Sequence, residues 1–165
     1  MASTLTPAGT QVPSPAGAWH DSGSCAPRQR VAPTVLSLLQ AARGGLAEAA
    51  AESSPSTRYI CAHLAALRAA AAIVAARGEP GTGTRRRRPR SVWELLPQVE
   101  PTLAEWSAFF AASAAKRAAA EAGLPRAASA HEADDLLRDA ETFVSIAERA
   151  LGVDGQALLP LRPAS

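Results

Sequence analysis

The stretch Ser129-Ala-His-Glu-Ala-Asp-Asp-Leu-Leu-Arg-Asp-Ala-Glu-Thr-Phe-Val-Ser-Ile-Ala-Glu-Arg-Ala-Leu-Gly152 decides the fold. Ser129 and Glu132 stand three apart, the spacing at which a hydroxyl and a carboxylate satisfy the free N–H groups of a starting helix reciprocally. Ala133, Leu136, Leu137, Ala140, Phe143, Val144, Ala147 and Leu151 then recur at steps of three and four. That period lays one apolar stripe along a helix and cannot line one face of a strand. Gly152 supplies the stop.

Working upstream, the same grammar repeats. Thr102/Glu105 precedes Leu103, Trp106, Phe109, Phe110 and Ala114, with Gly123 as the stop, and Ser91/Glu94 opens a short helix carrying Val92, Trp93, Leu95 and Leu96. Ser54 with Pro55 at the first turn begins a helix striped by Tyr59, Ile60, His63, Leu64, Leu67, Ala71 and Val74, and Gly78 ends it. The first helix is expected after Pro33, capped by Thr34, running to about Ser53, with Val35, Leu38, Leu39, Ala42, Leu46 and Ala49 on its stripe. Gly44-Gly45 inside it predicts a kink or a close helix crossing, since each glycine costs about 1 kcal/mol against alanine.

Composition agrees with helix throughout. Alanine contributes 40 of the 165 residues and aromatics only 4%, a balance that favours helix over sheet. The expected fold is an all-α four-helix bundle with one extra short helix. Residues 1–32, rich in Pro, Ser and Gly, predict a disordered tail; 33–152 form the bundle, 78–90 a basic Gly/Arg-rich loop, and 153–165 a second tail. Net charge is +2, yet the loop holds Arg85, Arg86, Arg87, Arg88 and Arg90, so the rest of the chain is acidic.

Cys25 and Cys61 have no metal-ligand spacing and complete no ligand set with His20, His63 and His131. No metal or cofactor is therefore expected, and the cysteine usage reads as a reduced, cytoplasmic protein. The longest uninterrupted apolar run, Ala69 to Ala76, is far short of the ~20 residues of a membrane span, so no membrane partner is expected.

The last helix, with its Leu-Leu, Ala-Glu and Phe143 rhythm, resembles the final helix of HEPN domains. Tyr59 leading into Ala62-His-Leu-Ala-Ala-Leu-Arg68 is similar to the family's second helix. The stretch from Arg85 to Leu96, with Trp106 to Gly123 after it, resembles a small alanine-rich HEPN branch of high-GC bacteria. The likeness covers residues 34–152. It implies a bundle that often dimerises, so a homodimer is expected. Many members cut RNA through an Arg followed four to six residues later by a His near the start of the last helix. There Arg stabilises phosphate charge and His moves a proton as a ribose 2′-OH attacks phosphorus. Other members lack the motif and serve as nucleotide-associated or adaptor modules.

Arg126 and His131 fit that spacing at the family's position, and Arg58 and His63 fit it in the second helix. With 16 arginines, chance supplies roughly one such match. Ala127 stands where active members usually carry a polar residue, and the cap Ser129 separates Arg126 from the helix. His63 shares its face with Tyr59, Ile60 and Leu67 and reads as a core or interface histidine. The arginine run is either a solvated linker or a sequence-blind phosphate-binding loop, and the acids Glu132, Asp134, Asp135 and Asp139 offer it a counter-charge. The expected function is a non-catalytic binding or adaptor module, possible partners being RNA, a nucleotide or a protein. The alternatives are a metal-independent ribonuclease using Arg126 and His131, and a helical assembly surface unrelated to HEPN.

Overall fold

Small side chains set how closely the first two helices lie. In the computed structural model, which describes residues 31–78 and 90–153, α1 (Pro33–Ala51) and α2 (Pro55–Arg77) form a hairpin. Ala42, Gly45 and Ala49 of α1 are buried, as are Ala62, Ala65, Ala66 and Ala69 of α2. Gly44-Gly45 does not interrupt α1; the pair marks the crossing. A Cβ built on Gly45 would stand 3.3 Å from Ala65 Cβ and 3.0 Å from Arg68 Nη1, whereas Gly44 faces open space.

The ends of α1 differ from expectation. Its cap is Ala32, with no side-chain bond, because Pro33 itself occupies the first turn with its φ already helical; Thr34 lies inside. The helix stops at Ala51, before Ser53. Ser54, as the residue preceding Pro55, is extended at φ −77° and ψ 120°, a conformation that a continuing helix cannot contain.

Beyond the second segment's start lie α3 (Val92–Val99), a 3₁₀ turn (Pro101–Leu103), α4 (Ala104–Glu121) and α5 (Ala130–Ala150). Ser129/Glu132 is a complete capping box, and Ser91 accepts from Glu94 N. Thr102/Glu105 is not a box. Pro101 starts a 3₁₀ turn instead, Thr102 donates its hydroxyl to Glu100 Oε1 at 2.8 Å, and α4 is capped by Leu103 without a side-chain bond. Both α4 and α5 end on left-handed glycines, Gly123 and Gly152, whose successors bond back five residues: Leu124 N to Ala119 O and Val153 N to Glu148 O.

Helix α2 is central and packs against α1, α3, α4 and α5. By length and composition it is apolar enough to cross a membrane, and just over half of that apolar stretch, 56%, is buried by the other helices. The result is the expected all-α bundle with one short extra helix, and no strand occurs among the described residues. Val153, assigned from sequence to a tail, is buried against Val35, Leu39 and Ala72, so the bundle extends one residue further. The expectations for residues 1–30, 79–89 and 154–165 lie outside the described residues.

On the other side of α2 the core is aromatic. Trp93 stacks on Phe110 with centroids 5.2 Å apart, and Phe143 lies 5.2 Å from Phe110 and 5.7 Å from Trp106. His63 is fully buried edge-on to Trp93 and Phe110, with Nε2 3.1 Å from Phe110 O. A carbonyl can only accept, so Nε2 carries the hydrogen and Nδ1 is a buried lone pair without a partner. Burial pushes the imidazole pKa down, against the opposing pull of its Phe110 bond.

Two stability experiments follow from this packing. Gly44→Ala raises stability by about 1 kcal/mol by filling open space on a helix, while Gly45→Leu lowers it by overpacking the seam; urea unfolding reads both. His63 gives a pH dependence. The unfolded imidazole takes a proton near pH ~6.5 that the folded one resists, so stability is complete above that value and falls as pH drops below it. His63→Leu is expected to flatten the urea midpoint between about pH 7 and pH 5, and an unchanged slope would reject this role.

Candidate functional site

The turn between α4 and α5 carries the residues that the HEPN likeness singles out. After Gly123 the chain makes a tight turn closed by Ala127 N to Leu124 O at 3.3 Å, with Pro125 and Arg126 at its centre. Arg126 has φ +59°, the left-handed conformation that the third residue of a type II turn requires after proline. Its side chain is exposed outside the helix. His131 lies in the first turn of α5 with its side chain 84% exposed, and its Nε2 is 3.3 Å from Asp135 Oδ2 one turn along the same helix. No hydrogen bond joins Arg126 to His131 among the described residues.

The second pair is separated more completely. Arg58 binds the Glu52 carbonyl through Nε at 3.1 Å and Nη2 at 2.6 Å, and its Nη1 pairs with Asp134 on α5. His63, five residues on, points into the aromatic core. Arg58 is therefore a clamp between the start of α2 and the start of α5.

Most of the acid cluster is answered within the bundle. Glu132 accepts from Lys116 of α4 and from both the N–H and hydroxyl of Ser129; Lys116 and then Ser129 draw its pKa down to about 2. The same carboxylate holds the Lys116 ammonium pKa above its usual value. Asp134 takes Arg58, and Asp135 takes Arg138 at 2.6 Å. Arg85 to Arg88 lie outside the described residues; Arg90 Nε stands 4.0 Å from Glu94 Oε2. Among the described residues no three His, Cys, Asp or Glu side chains gather as a metal site.

A groove that sequence reading missed lies between α4 and α5. The two helices run antiparallel on α2 and meet through long side chains, Phe110 and Trp106 against Phe143, while their backbones scarcely approach. The gap holds a cavity of about 510 Å³ lined by residues including Tyr59, Phe109, Ser113, Lys116, Arg138 and Asp139. A second of about 330 Å³ shares Phe109 and Asp139 and adds Glu105 and Trp106. Tyr59 is nearly buried, and burial pushes its phenol pKa up. Phe109 is 42% exposed. One signal was available: Phe109 and Phe110 are adjacent on a helix, about 100° apart, so both cannot face one core.

A family model, that of SAV_6107-like HEPN, matches residues 49–148, from the end of α1 through most of α5. Neither the curated proteins nor the solved structures returned a match. With well over half of its length matched and its all-helical architecture in agreement, the chain belongs to the SAV_6107-like HEPN family.

Proposed function

We propose that this HEPN chain is a non-catalytic binding module whose working surface is the α4/α5 groove. The observation that carries the reading is the separation of Arg126 from His131. A general base and a phosphate-stabilising cation must converge on one phosphorus. Here Arg126 projects from a turn outside the helix and His131 leans along its own helix toward Asp135. Glu132, Asp134 and Asp135 also crowd the approach that RNA phosphate would take.

One feature favours the alternative ribonuclease reading. Arg126 holds a left-handed backbone that glycine adopts at no steric cost, and such strain often accompanies a functional side chain. One measurement separates the readings. Purified full-length protein is incubated with mixed cellular RNA beside His131→Ala; neither is expected to cleave above a buffer control. Cleavage abolished by His131→Ala would overturn the proposal. Arg126→Gly is expected to raise stability by about 1 kcal/mol through relief of the turn, read by thermal unfolding.

A further inference from the structure

The charges along the α4/α5 groove are unequal in what they have left to offer. Its cations are already engaged, Lys116 with Glu132 and Arg138 with Asp135. Asp139, in the walls of both hollows, and Glu105, at the lower end, enter no ion pair among the described residues. An anionic ligand would have to share a cation with the carboxylate that already holds it, while facing two unanswered carboxylates. A cationic ligand meets those carboxylates at once.

The floor and walls are apolar as well as acidic. Phe109 is exposed there beside Trp106, Ala112 and Leu136. From Glu105 to Lys116, α4 rises about 16 Å, roughly three helical turns. Two antiparallel helices held apart on a third present the seat that a further helix fills by ridge-into-groove packing.

We propose that the α4/α5 groove docks a cationic amphipathic helix of a partner protein. Its apolar stripe lies on Phe109 and Leu136, and its arginines or lysines meet Asp139 and Glu105. The inference rests on the non-catalytic binding reading and names the chemistry of the partner.

The test uses the full chain and a fluorescein-labelled 14-residue synthetic peptide, with leucines at helical spacing and arginines flanking them. A twin peptide carries glutamates in place of the arginines, and fluorescence anisotropy reads both. The arginine peptide is expected to bind at least tenfold more tightly than its twin. Glu105→Lys with Asp139→Lys should reverse that order, and Phe109→Asp should weaken both peptides at least tenfold; circular dichroism checks that each variant folds. Equal affinity for the twins, or an order that survives the double charge reversal, overturns the proposal. So does peptide binding that appears only after Arg85 to Arg88 are changed to Ser, which would assign the groove to the chain's own arginine run. Two further outcomes overturn it: binding of labelled RNA to the peptide-free chain that Phe109→Asp abolishes, and a doubled mass in light scattering that Phe109→Asp abolishes while no peptide binds. RNA cleavage with peptide binding intact would sink the non-catalytic reading alone, whereas a failed charge reversal without cleavage sinks only the docking.

Discussion

Everything in this bundle depends on which neighbours α2 lets approach closely: α1 and α5 lie near its backbone, and α4 stands further off. Toward α1 it presents Ala65, and Gly45 approaches so closely that one added methyl would touch it; toward α5 the close approach is met by that helix's own buried alanines, Ala133, Ala140 and Ala147. Toward α3 and α4 it presents His63, and the space beyond is filled by Trp93, Trp106, Phe110 and Phe143. Small side chains gain little from hydrophobic transfer individually, but they permit backbone approach and many dispersion contacts. Large rings gain more per residue and hold helices apart. The groove between α4 and α5 is thus the geometric consequence of placing the rings of Trp106 and Phe110 between α4 and its neighbours, while α5 lies close on α2.

Ion pairs then tie α5 to each neighbour. Arg43 of α1 grips Glu148 through two bonds, Nη2 to Oε2 at 2.7 Å among them, and Glu148 is nearly buried. Arg58 of α2 takes Asp134, and Lys116 of α4 takes Glu132. An exposed pair adds little stability by itself, and a buried carboxylate is costly without its partner. These pairs specify more than they stabilise, because each fixes which turn of α5 faces which helix. The same arrangement explains why an acid-rich helix start need not be a metal or phosphate site. Its carboxylates are committed to the bundle's own cations, with Asp139 left over on the groove.

How much of this was legible in the sequence follows the range of each interaction. The helices and their glycine stops are local, and they stood as read; the stripes stood less evenly, since Phe109 of α4 is exposed and Ile60, Leu64, Leu67 and Ala71 of α2 are only half-buried beside fully buried alanines. The Ser129 box also stood, because a hydroxyl and a carboxylate three residues apart need only each other. Thr102 and Glu105 have identical spacing but follow Pro101, whose fixed φ starts a 3₁₀ turn and gives the Thr102 hydroxyl to Glu100. The buried crossing at Gly45 was legible as one of two outcomes; Ala65 opposite it decided which. The groove was not legible, since it is a gap between α4 and α5 set by rings drawn from α3, α4 and α5 together. Its sole trace in the chain is Phe109, an aromatic with no core position left for it.

The Arg126 and His131 spacing shows why a motif counted along the chain differs from one held in space. Five residues inside a continuous helix fix the direction between two side chains to within a rotamer. Here the interval opens on a left-handed residue that leaves a proline turn, and it contains the cap Ser129, so the helix positions His131 alone. Arg126 takes its direction from Pro125 and from the end of α4. The cap that makes α5 so legible also ends the helical frame: its Glu132 accepts from the Ser129 N–H, which leaves the preceding arginine outside the helix. Local order at the helix start therefore sets where His131 stands without setting where Arg126 points.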